Sequence, residues 1–123
     1  MRLAFCSLSL LFISVDVDAQ PVRPSPEALV AAQVYRLCVV KKAVALEPSG
    51  ADVADISSAA LLACHDARDN AEAAMDADVV IADVRSGTKS PSGRVDRALV
   101  EIGRRIASEA NLKVLEKRAA RKK

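Results

Sequence analysis

The chain has no tryptophan, one tyrosine and two phenylalanines, and aromatic residues make up 2% of its 123 residues. Its core must therefore be built from Val, Leu, Ile and many Ala, which lets elements pack at close separations. Glycine and proline are scarce, at four and five residues, so the chain has few places to break. Hydrophobic residues at 51% exclude general disorder. Together these points indicate an all-helical fold. A single histidine, His65, and no C-x-x-C spacing exclude a dithiol redox motif and a zinc site of ordinary spacing. No cofactor motif, metal site or catalytic constellation is present. No aromatics interleave with the basic residues and no nucleic-acid motif occurs, so no nucleic-acid partner is expected.

What is present begins with a segment that reads as a targeting signal. Met1 and Arg2 form a short positive start, Leu3 to Val15 an uncharged apolar run, and Val17 and Ala19 fill the small-residue positions of a cleavage site before Gln20. The run is too short for a comfortable membrane span, and no second such segment follows. Residues 1–19 are thus expected to be a cleavable signal peptide, with an uncleaved anchor as the weaker alternative. The rest is expected in the periplasm or secreted. Residues 20–26, "QPVRPSP", form a proline-rich extended lead-in.

The helical domain is expected over residues 27–116. Ser25 can cap a first helix, Pro26 suits its first position and Glu27 favours its positive end. That helix should run to about Leu46 or Glu47. Its apolar residues go nearly all the way round, which predicts a central helix covered on more than one side. Pro48 and Gly50 break it, and Ser49 with Asp52 resembles a capping box. A second helix should start near Gly50 with a stripe of Val53, Ile56, Ala60, Cys64, Ala67, Ala71, Ala74 and Met75. Val79, Val80, Ile81 and Val84 could form a strand, but nothing offers it a partner, so a continued or slightly broken helix to about Val84 is preferred. After a loop over residues 85–93, Ser92 can cap a third helix with Val95, Leu99, Ile102, Ile106 and Ala110 inward. Pairs four apart, Glu101 with Arg105 and Glu109 with Lys113, support it. The architecture so read is a small three-helix bundle whose first two helices form an antiparallel hairpin.

Cys38 and Cys64 lie at equal distances from the turn at residue 51, so the hairpin brings them to one level. Two cysteines that can meet in an exported protein usually oxidise. A structural disulfide is expected. Cys6 lies within the apolar N-terminal run and leaves with it. Asp69, one turn from His65, can accept its hydrogen bond, and neither Ser57 nor Ser58 falls on the same surface. The sole tyrosine, Tyr35, is expected at the core edge.

Charge is segregated. Residues 52–83 hold eight acids against Arg68 alone, and residues 85–123 hold twelve bases against four acids. Either the two segments face each other or the basic end meets an anionic partner. Asp66, Asp69, Glu72 and Asp76 would line the solvated side of the second helix. Arg104, Arg105, Lys117, Arg118, Arg121, Lys122 and Lys123 are the candidates for binding an anionic surface, with residues 117–123 a basic tail.

Tyr35-x-x-Cys38, "LEPSG", "ADVADI" and Ala59-Ala60 before Cys64 together resemble small exported bacterial proteins of unknown function that carry a two-cysteine helical hairpin. The resemblance covers residues 35–68. It implies a stapled hairpin and brings no active site with it. The expected function is that of an exported, non-enzymatic helical protein that binds a protein partner through the third helix or the long acidic face. The alternative is peripheral binding to an anionic membrane surface through the basic end. The Ala-rich stripes would also suit a homo-oligomer.

Overall fold

The computed structural model describes residues 22–123, so the expected signal peptide and the expected cleavage point at Ala19–Gln20 lie outside the described residues. Helix α1 spans Pro26–Leu46. The Ser25 hydroxyl accepts the Ala28 N–H at 3.1 Å, and Glu27 sits in the first turn. The Ser25 N–H itself donates to Asp78 at 2.8 Å, which ties the start of α1 to a distant helix. A single 3-10 turn, Glu47–Ser49, follows. Gly50 then takes a left-handed conformation (φ 70°) that other residues adopt only with strain.

Helix α2 spans Val53–Ala63. Its cap is Asp52, whose carboxylate accepts the Ala54 N–H at 2.9 Å, and not Ser49. Ser49 instead accepts the Ala51 N–H within the turn. With Gly50 left-handed, the reversal takes three more residues than the capping-box pattern allowed for, and the cap moves from Ser49 to Asp52.

At Cys64 the backbone leaves helical dihedrals for one residue (φ −108°, ψ 25°). Helix α3 then spans His65–Ser86 and ends on the left-handed Gly87. Val79 to Val84 are helical, not a strand. Helix α4 spans Arg94–Arg121. Its N-cap is Gly93 and not Ser92, whose carbonyl is occupied by Arg97. The loop before it is held by Asp83, which accepts both the N–H and the hydroxyl of Ser90.

Among the described residues the fold is therefore all-α with four helices rather than three, because the expected second helix is divided at Cys64. A stripe spaced by threes and fours runs unbroken through that point, so periodicity alone does not reveal a one-residue change of dihedral. Helices α2 and α3 pack in succession antiparallel to α1, as the Cys38–Cys64 and Ser25–Asp78 contacts require. Helix α4 runs parallel to α1, since Arg36 meets Glu109 and Val44 meets Lys117.

The main core comprises Tyr35, Val39 and Ala43 of α1, Ile56 and Ala60 of α2, Cys64, and Ile106, Ala110 and Val114 of α4. A smaller cluster of Ala71, Val95 and Leu99 fills the other end. The expected α4 stripe is inward, with Ile102 partly buried. Helix α1 touches all three other helices. It is thus central and covered on more than one side, as its apolar pattern predicts, while its face opposite the core is left uncovered by the described residues. The three other described helices pack on its core side, and Val30, Val34 and Leu37 stay exposed. No described helix is long and apolar enough to cross a membrane.

Candidate functional site: the basic helix end and the outward helix faces

The chemistry-bearing residues of α4 are mostly engaged within the fold. Glu47, at the start of the 3-10 turn, is 2% exposed. A buried carboxylate without partners would cost several kcal/mol. The end of α4 supplies three cations: Arg121 Nη2 lies 2.6 Å from Oε2, and Lys117 Nζ and Arg118 Nε each lie 3.8 Å from a carboxylate oxygen. The approach of Arg121 is an ion contact without hydrogen-bond alignment, so Oε2 accepts no directed bond. Lys117 also donates to the Val44 carbonyl at 3.1 Å, and Arg118 to the Ala51 carbonyl. These cations thus neutralise Glu47 and satisfy carbonyls at and beyond the negative end of α1.

Consequently α4 takes in residues 117–121, which the charge pattern alone assigns to a tail, and only Lys122 and Lys123 lie beyond it. Arg104 and Arg105 both bond Glu101, on their own helix, at 2.8 to 3.0 Å. First the Arg104 hydrogen bonds, then that of Arg105, pull the Glu101 carboxyl down to about 2. Of the seven basic candidates, the structure gathers three on Glu47 and two on Glu101.

Glu109 does not pair with Lys113. It receives a two-pronged contact from Arg36 of α1, with Nε at 2.6 Å from Oε2, while Lys113 turns to Glu116 at 3.0 Å. The Arg36 hydrogen bonds hold the Glu109 carboxyl below its ordinary value. A cross-helix fork of this kind outcompetes a flexible pair on one helix. Sequence spacing missed Arg36 because its partner lies 73 positions away.

The disulfide is present: Cys38 and Cys64 are bonded, with Cα atoms 6.0 Å apart. Cys64 is fully buried, and the bridge ties the middle of α1 to the junction of α2 and α3. His65 is exposed and turns to Asp66 (2.9 Å) and the Leu62 carbonyl (3.2 Å), not to Asp69. As the first residue of α3 it folds back over the break. Asp69 and Glu72 instead lie near Arg68. Ser57 is buried and donates to the Ala54 carbonyl. Tyr35 lies inside the core at 3% exposure rather than at its edge, and burial raises its pKa against a smaller opposing effect of Arg68. Among the described residues, no group of three or more His, Cys, Asp or Glu side chains could hold a metal ion.

An open groove between α3 and the start of α4 is lined by Glu72, Asp76, Asp83, Lys89, Ser90 and Arg94 among others. Its charges are of both signs, and Ser90 satisfies Asp83.

The outward faces are different, since no contact among the described residues covers them. On α1, Val30, Val34 and Leu37 are 64%, 53% and 54% exposed. On α3, Val80 and Val84 are 61% and 78% exposed and share a stripe with the exposed Ala73 and Ala77. Scattered exposed apolar residues are ordinary, but repeats at three and four on one helix face mark a contact surface. Comparison with protein-family models, with curated proteins and with solved structures finds no match for the chain.

Proposed function

We propose that the chain is an exported, non-enzymatic helical protein that acts as a protein-interaction module, through the outward faces of α1 and α3. The observation that carries this is the set of large apolar side chains on those faces, turned away from a core that is complete without them. The Cys38–Cys64 bridge is compatible with export into an oxidising compartment. The engagement of Lys117, Arg118 and Arg121 with Glu47 weighs against the alternative, an anionic-membrane binder, which keeps Lys122 and Lys123 as exposed cations.

A photo-crosslinking residue placed at Leu37 or Val84 should give protein adducts in the envelope or medium, whereas one at the exposed Ser108 should not. Absence of adducts at both apolar positions would remove this function. Binding to anionic liposomes that is lost with Lys122→Gln and Lys123→Gln would favour the membrane instead. Deletion of residues 117–123 is a poor test, because it also strips Glu47 of its partners.

A further inference from the structure

We infer that the outward face of α1 is a self-association surface, on which two copies of the chain pair with their α1 helices antiparallel about a two-fold axis near Val34. This rests on the interaction-module function and names the partner of one of its faces. Glu27, Val30, Val34, Leu37 and Lys41 are spaced alternately by three and four and are all exposed. That is the seam of a helix pair, with positions that stay in line along the helix. It lies on the side of α1 opposite Ala28, Tyr35, Val39 and Ala43, which are buried.

The order along the seam is an acid, three apolar residues and a base. A two-fold interface uses the same patch on both copies, so each contact occurs twice. Antiparallel pairing sets Val34 against its own symmetry mate and Val30 against Leu37 of the other copy. It brings each Glu27 to Lys41 of the other copy, giving two ion pairs that close the ends of the apolar stretch. Parallel pairing would set Glu27 on Glu27 and Lys41 on Lys41, like on like. The face is therefore complementary to itself in one direction only.

The seam runs over 15 residues from Glu27 to Lys41, about 21 Å at 1.5 Å per residue. A contact of that size belongs to the small, reversible class of interface. Helix α1 is also held from behind by the Cys38–Cys64 bridge and the Arg36–Glu109 fork, so the face is presented without further ordering.

The experiment is sedimentation equilibrium over a concentration series, on protein purified after expression of the full chain with whatever N-terminal processing it undergoes. A reversible monomer–dimer equilibrium with Kd below about 100 µM is expected. Leu37→Glu should weaken it at least about tenfold, which is about 1.4 kcal/mol. Glu27→Lys alone and Lys41→Glu alone should each weaken it, and the two together should restore it, with helical content checked by circular dichroism. A monomer throughout the series overturns the inference, as does a dimer indifferent to Leu37→Glu or a double swap no better than the single ones. If the protein is monomeric but a crosslinker at Leu37 captures another protein or residues 1–21 of its own chain, self-association falls while α1 remains a docking face. If no face gives adducts, the interaction module falls with it.

Discussion

Glu47 shows how far one buried side chain can redirect others. Its neighbours in sequence give no sign of burial, since it precedes Pro48 in a turn. Packing closes over it, and the cations of α4 then have an electrostatic reason to turn inward rather than toward solvent. Truncation after Glu116 should therefore cost roughly 3–5 kcal/mol, because it leaves a buried carboxylate without a cation. Glu47→Gln in the truncated background should recover part of that loss. Chemical denaturation of the four chains forms a double-mutant cycle. Equal losses from truncation with either residue at position 47 would show that the α4 end does not serve Glu47. Glu101 belongs to the same scale with the opposite setting. It is half-exposed and its two arginine partners are exposed, so the pairs are screened and their energy is small despite the large displacement of its pKa.

Among the elements, the division between α2 and α3 is the feature with the clearest consequence. Cys64 is the last residue reached by α2 and the one from which α3 starts. The bridge therefore joins three helices rather than two. It closes a loop with a sequence separation of 26 residues. In the chain-entropy description that restricts the unfolded state by roughly 3–4 kcal/mol. Replacing Cys38 and Cys64 together by Ser should lower unfolding free energy by about that amount, and added reductant should then have no further effect. Guanidinium titrations with and without reductant measure both. A double variant as stable as the parent would show that packing of Val39, Ala43 and Ala60 alone holds the hairpin.

At the scale of the whole molecule, the charge segregation is settled by pairs of several kinds. The Arg36–Glu109 fork joins α1 to α4, the Glu47 cluster joins the first turn to the end of α4, and Arg68 stays near acids of its own helix. Glu101, Glu109 and Asp83 all have carboxyl pKa values below their ordinary ones in the folded state. A group depressed on folding binds its proton more readily when unfolded, so its contribution is complete above the unfolded value and disappears as pH falls through the folded one. For Glu101 that window runs from 4.5 down to about 2. Thermal stability should hold between pH 7 and about 5 and decline below that. Glu109→Gln should flatten the decline. A melting temperature unchanged from pH 5 to pH 2 would contradict this.

Some of this was legible from the linear chain because its causes are local. The all-helical class follows from apolar spacing and the scarcity of turn residues. The cap at Ser25 and the stop at Pro48–Gly50 each depend on residues within four positions of the backbone they act on, and the loop before α4 on a contact only seven positions long, from Ser90 to Asp83. The Cys38–Cys64 bridge is local in the same sense, since two antiparallel helices about a short turn bring equidistant positions together. Tertiary structure alone decided the rest. The break at Cys64 interrupts an unbroken stripe, Arg36 takes Glu109 from Lys113, and Lys117, Arg118 and Arg121 close on Glu47. These depend on which side chains packing brings within a few ångströms across some seventy positions of chain, and on how little water remains between them. The same packing left Val30, Val34 and Leu37 outside, because the core closes around the opposite face of α1.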